Sequence, residues 1–117
     1  MNRNALLMSL MLAAVGAGLA HAQSYPARPV RMVVASSPGG GSDILGRLLA
    51  QRLTELLGQQ VIVENRAGAS GIIGVDVVAK SPPDGYTLII TQTSLAINPS
   101  MIKDMPYDAL RDLADRK

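Results

Sequence analysis

The chain has 117 residues, with eleven basic and nine acidic side chains, one histidine and no cysteine. Its positive residues are scattered (Arg28, Arg31, Arg47, Arg52, Arg66, Lys80) with no stacking aromatics between them, which argues against a nucleic-acid partner. Without cysteine no disulfide forms, and once a leader carrying His21 is removed, no zinc site, Cys–His nucleophile or Ser-His-Asp triad can be assembled.

The first 22 residues read as that leader. Arg3 gives a positive start, Ala5 to Val15 is almost unbroken apolar sequence, and Ala20-His21-Ala22 supplies the small-x-small pattern before a cleavage site. A membrane span needs roughly 20 apolar residues, and no basic stop-transfer cluster follows this shorter core. An uncleaved anchor is the alternative. Twin arginines are absent, as is a cysteine after the cleavage site, so Sec export without lipid anchoring is expected.

Past the leader, Pro26 to Pro29 is an extended lead-in. Val30 to Ala35 is short and rich in β-branched residues, as a strand buried on both faces should be. Ser36 to Ser42 is a loop, because a proline followed by three glycines cannot propagate regular structure cheaply. A helix follows, with Ser42 or Asp43 expected as N-cap and Gly58 as the residue just past its end. Ile44, Leu45, Leu48, Leu49, Leu53, Leu56 and Leu57 recur at helical spacing, which predicts that this stripe lies on a sheet. Val61 to Asn65 reads as a second strand and Arg66 to Ser70 as a small-residue loop. Gly71 to Lys80 is rich in β-branched residues, but the alternation around it and the Asp76/Lys80 pair predict a helix. Pro82 to Gly85 is a turn, Tyr86 to Thr91 a third strand, and Leu95 to Ile97 a short helical turn before Asn98-Pro99. The tail from Met105 is weakly patterned.

This order, β-α-β-α-β, implies an α/β fold with parallel strands, right-handed crossovers and flanking helices. Ligands in such sheets bind beyond the carboxyl ends of the strands, where loops 36–42, 66–71 and 92–98 meet. Glycines there leave backbone N–H groups unshielded, and the first two loops each open a helix, so the rim suits a carboxylate or phosphate. Ser37, Ser42, Thr93 and Ser94 offer hydroxyl donors. Gly39 to Ile44 lacks the last glycine of a dinucleotide fingerprint, and no phosphate-loop lysine motif occurs. Asp43 reads either as a base or as a helix N-terminal residue favoured by the dipole, and Arg66 as a carboxylate clamp or a structural arginine.

With these residues in view, the chain resembles the periplasmic solute-binding proteins of tripartite tricarboxylate transporters, the Bug or TctC-like family. The blocks that carry the resemblance run in order: Tyr25-Pro26 with Pro29-Val30, Pro38 to Asp43, Val61 to Arg66, Gly68 to Gly71 with Gly74, Pro83 to Leu88, and Ala96 to Pro99. It implies the first lobe of a two-lobed Venus-flytrap protein of the type II kind. Such a protein acts as a monomer in the periplasm of a Gram-negative cell, without cofactor, metal or catalysis. It captures a small organic carboxylate and passes it to membrane permease subunits. Carried over residue by residue, the ligand-binding positions are Pro38, Gly39, Gly40, Gly41, Ser42 and Asp43, then Ala69, Ser70 and Gly71, then Thr93 and Ser94. Ser70, Ile72 and Ala67 depart from the family's common residues. Family members run on where this chain has Ala114 to Lys117, so the resemblance implies an incomplete, truncated lobe that binds weakly. The alternative is an exported fragment with a sensing or scaffold role and no tight ligand binding.

Overall fold

The computed structural model describes residues 24–113; the leader expected at 1–22 lies outside the described residues. Three short strands, β1 (Val30–Val34), β2 (Val61–Asn65) and β3 (Thr87–Ile90), form one sheet in the order β2-β1-β3, with both pairings parallel. Val30 sits opposite Val61, and Arg31 opposite Thr87. The crossovers are helix α1 (Gly41–Leu57) and helix α2 (Ile72–Ala79), the latter entered through a 3-10 turn at Ala69–Gly71. Helix α3 (Ser94–Met101) and a single turn, α4 (Ala109–Asp112), follow β3.

One face of the sheet carries Val30, Met32 and Val61, packed against Ala50, Leu53 and Leu57 of α1. On the other face α2 presses Gly74 and Val75 toward the end of β1. Because β2 and β3 flank β1 on opposite sides, right-handed crossovers place the two helices on opposite faces. Val30, Val33 and Val34 are fully buried, as expected of a central parallel strand.

The sheet-facing side of α1 differs from the expected leucine stripe. Asp43, Gly46 and Ala50 are the buried residues, whereas Leu45, Leu48 and Leu56 are 52%, 61% and 69% exposed. The cause is the closeness of the packing. A Cβ on Gly46 would stand 2.9 Å from Val34 Cγ2, so only small residues fit the line of nearest approach. Of the expected stripe, Leu53 and Leu57 pack on the sheet, while Ile44, Leu45, Leu48, Leu49 and Leu56 turn outward and leave an apolar face uncovered by the described residues.

The ends of α1 also depart in part from expectation. Its N-cap is Gly40, not Ser42 or Asp43, and glycine has no side chain to cap the helix; the Asp43 carboxylate instead accepts from Gly39 N. Gly58 closes the helix in the left-handed conformation, as expected. Thr54 then ties the helix to β2: its hydroxyl donates to Ala50 O (2.7 Å) and accepts from Val61 N (2.9 Å).

Helix α3 runs through Pro99 to Met101, four residues past Ile97, where the expected turn ends. Proline deletes one i→i−4 bond, but the buried Asn98 side chain anchors the segment and Ile102 N donates to Asn98 O at 2.9 Å. At the opposite end of the sheet the lead-in is stapled to the turn before β3. Tyr25 packs edge-on to Tyr86 with ring centroids 5.1 Å apart and donates its hydroxyl to Gly85 O. Arg28 pairs with Asp84 (3.0 Å) and lies over the Tyr86 ring. These contacts join two sequence blocks some sixty residues apart.

Candidate solute-binding rim

Loop 1 leaves β1 through Ser36 and turns at Gly39, whose φ of +84° is a left-handed value that glycine adopts without strain. The loop is shaped by the Asp43 side chain. Its carboxylate accepts from Gly39 N (2.8 Å), Arg47 Nε (3.1 Å) and Asn65 Nδ2 (2.9 Å). Asn65 also donates to Ser36 O (3.2 Å), so β2 holds the mouth of the loop. The Gly39 N–H, then Arg47 and Asn65, hold the Asp43 carboxyl down at about 2, outweighing its burial. Asp43 is thus ionised, matched by Arg47 and turned back on its own loop.

Loop 2 is stranger. Gly68, Ala69, Ser70 and Gly71 have φ values of +123°, +48°, +55° and +86°, four consecutive residues on the left-handed side. For Ala69 and Ser70 that conformation carries a steric cost. Replacing Ser70 with Gly should raise stability by about 0.5–1 kcal/mol in chemical denaturation, since the relieved strain exceeds the added freedom of the unfolded chain. A fall of that size would show that the conformation is unstrained. Gly71 is buried: a Cβ there would lie 3.5 Å from both Ala35 O and Ser94 Oγ, so loop 2 touches the end of β1 and the start of α3.

Loop 3 joins them from β3. Gln92 Nε2 reaches Ser42 Oγ at 3.5 Å, and Asn98 Nδ2 donates to Ser70 O at 3.2 Å. The structure therefore brings the predicted positions of all three loops to one rim. Pro38 to Gly41, Ala69, Ser70 and Thr93 are exposed there, Ser42 and Ser94 are half-buried, and Asp43 and Gly71 are buried. Three helices begin at this rim, with Gly40, Gly71 and Thr93 as N-caps, and none has a side-chain cap. First-turn N–H groups lack i−4 partners and carry the positive end of each helix dipole, although Ile72 N is taken up by Ala69 O, Leu95 N by Gln92 O and Ala96 N by Thr93 O. The rim is rich in donors, and its one carboxylate, Asp43, is already matched.

Arg66 does not face this rim as a free clamp. With Arg31 it bonds Glu64, whose carboxyl is held below the usual range chiefly by the Arg31 hydrogen bond. Four polar groups near the rim are not among the predicted site residues, though Ser36 and Asn98 fall in the expected loops: Asn65, Asn98, and the Ser36 and Thr91 hydroxyls, buried at strand ends without a partner among the described residues. A polar residue closing a strand, as Asn65 closes β2, is a usable signal. The role of Asn98 is not local to its sequence.

An open parallel sheet with donor-rich helix starts along its carboxyl edge is the architecture of a ligand-binding α/β lobe. Comparison with known proteins specifies which one. The model of the tripartite tricarboxylate transporter family receptor, TctC, matches residues 45–115. Protein BugT of Bordetella pertussis is 46% identical over 118 residues, covering 97% of this chain and 36% of BugT. Among solved structures, the periplasmic binding protein BugD superposes with a TM-score of 0.72 at 40% identity, covering 75% of this chain and 29% of that one. Rpa4515 of R. palustris, solved with adipate, gives 0.68 at 44% identity over 72% of this chain and 28% of that one. MatC of Rhodopseudomonas palustris, with bound malate, gives 0.65 at 31% identity over 75% of this chain and 30% of that one. The chain belongs to the TctC family of tripartite tricarboxylate transporter receptors, whose members are periplasmic solute-binding proteins. It spans about a third of the length of the curated relatives it matches, and the described fold corresponds to part of their first lobe.

Proposed function

We propose that this chain is the N-terminal part of lobe 1 of a periplasmic receptor that captures a small organic carboxylate and delivers it to membrane permease subunits. Residues 1–22 are its cleaved Sec leader and residues 23–117 the exported, monomeric portion. The observation that carries the reading is the convergence of three helix starts without side-chain caps on one Gly/Ser/Thr rim. Backbone N–H groups at such starts bind carboxylate without a counter-charged side chain. Adipate and malate in two related structures support the choice of carboxylate. The site residues are Pro38 to Ser42, Ala69 to Gly71, Thr93 and Ser94, and Asp43 supports them by bracing loop 1.

A flytrap site buries most of its ligand between two lobes, and a rim that is open on one side leaves the solute half in water. Calorimetry on the purified chain is therefore expected to give roughly millimolar dissociation constants for malate and adipate. An uncharged diamide of the same length should not bind. Micromolar affinity, or equal binding of the diamide, would overturn the reading. The exposed apolar face of α1 favours a second reading, in which the lobe is presented to a protein partner as a scaffold or sensor. In that reading the face of α1, not the rim, carries the function, and no tight carboxylate binding is expected.

A further inference from the structure

Loop 2 poses a physical question that its own sequence does not answer. Two non-glycine residues in succession, Ala69 and Ser70, sit at positive φ, and such conformations persist only where the surroundings over-determine them. The local turn contributes two backbone bonds, Gly71 N to Gly68 O at 3.0 Å and Ile72 N to Ala69 O. The remaining polar restraint comes from 28 residues away, where Asn98 Nδ2 donates to Ser70 O. Asn98 is 7% exposed and is the buried residue of α3. A buried amide in that setting costs free energy unless its hydrogen bonds are made. The Ser70 carbonyl, inside the left-handed run, is the acceptor that the geometry provides.

We propose that Asn98 is a positioning residue for the solute rim: by holding the Ser70 carbonyl it fixes the left-handed run 68–71 and thereby the N–H groups of loop 2 and of the start of α2. This rests on the carboxylate-rim reading for its function, but the restraint itself does not depend on any ligand. Asn98 acts from beneath the loop and does not touch the solute. Because α3 follows loop 3, the same residue couples the second and third loops of the rim. A ligand that orders one loop therefore orders the other.

The test is amide hydrogen exchange on the purified full chain, comparing wild type with Asn98→Leu, which keeps the branched outline and removes the donor. The Gly71 amide is expected to exchange at least ~10-fold faster in the variant, relative to Val33 in the central strand. Adding Ser70→Gly, which lowers the strain the bond must oppose, should bring that ratio back to within about threefold of wild type. A uniform rise at Gly71 and Val33 alike, or no rescue by Ser70→Gly, would overturn the proposal. If Asn98→Leu does not fold, Asn98→Ser gives the same comparison. In parallel, malate is titrated into each protein, with Asn98→Leu expected to weaken its binding about tenfold or more. Wild type that ignores malate sinks the carboxylate reading while the exchange ratio still decides the role of Asn98.

Discussion

Replacing Gly74 with Ala is expected to destabilise the chain by at least about 2 kcal/mol, the largest effect of any single methyl group in this fold. A Cβ at Gly74 would stand 2.8 Å from Ala35 Cβ, 2.9 Å from Ala35 Cα and 2.9 Å from Arg66 O. Two of those three atoms belong to the backbone, so no side-chain rotation relieves the contact, and α2 must lift from the end of β1. Alanine's better helix propensity works the other way, by about 1 kcal/mol at most, so overpacking wins. Gly41 is the control: nothing lies within 4 Å of a Cβ built there, and Gly41→Ala should change stability by less than about 0.5 kcal/mol. Urea unfolding followed by circular dichroism measures both. A Gly74→Ala variant as stable as wild type would mean that α2 does not seat this closely.

The second large effect is expected at Asp43. In Asp43→Asn, an amide nitrogen must face either the Gly39 N–H or the Asn65 amide, both donors, and the charge that Arg47 matches is gone. A fall in Tm of roughly 5–10 °C is expected, with loop 1 loosened. The pH dependence separates this cause from mere loss of packing. The folded carboxyl, at about 2, lies below its ordinary value near 3.8, so folding favours the ionised form. Its contribution is complete above about pH 4 and lost as pH falls toward 2. Wild type should therefore lose stability across that window and Asp43→Asn less, keeping only the part due to Glu64, whose carboxyl is also held low. Parallel acid profiles for the two proteins would refute the Asp43 network.

Much of this architecture is legible in the sequence, and each departure has its own physical origin. Strands β1, β2 and β3 declare themselves through β-branched runs, and the glycine-rich loops between them place the rim. Even α2, with its β-branched content, follows from the alternation of elements, because packing on a sheet outweighs intrinsic propensity. What misleads is the face of α1. Counting apolar residues selects Leu45, Leu48 and Leu56, while the closest approach to the sheet goes through Gly46 and Ala50. Hydrophobic periodicity registers how much apolar surface a face carries and is blind to how near the sheet comes. The bracing of the rim is hidden for a different reason. Asn65 reaches Asp43 across 22 residues and Asn98 reaches Ser70 across 28, and neither pair has a local signature. Helix α3 outruns its local signal because proline is a strong local stop, and a buried anchor on the same helix, Asn98, overrides it.

The central claim is that the three loops form one carboxylate cradle, and amide chemical shifts under malate titration test it most directly. Shifts are expected together at Gly39 to Ser42, at Ser70 and Gly71, and at Thr93 and Ser94, along one curve that saturates in the roughly millimolar range. A cavity of about 490 Å³ elsewhere, lined by Leu95, Ile102, Met105 and Tyr107 among others, provides the contrast. Shifts confined to that cavity, or three loops responding with three different midpoints, would contradict a single cradle.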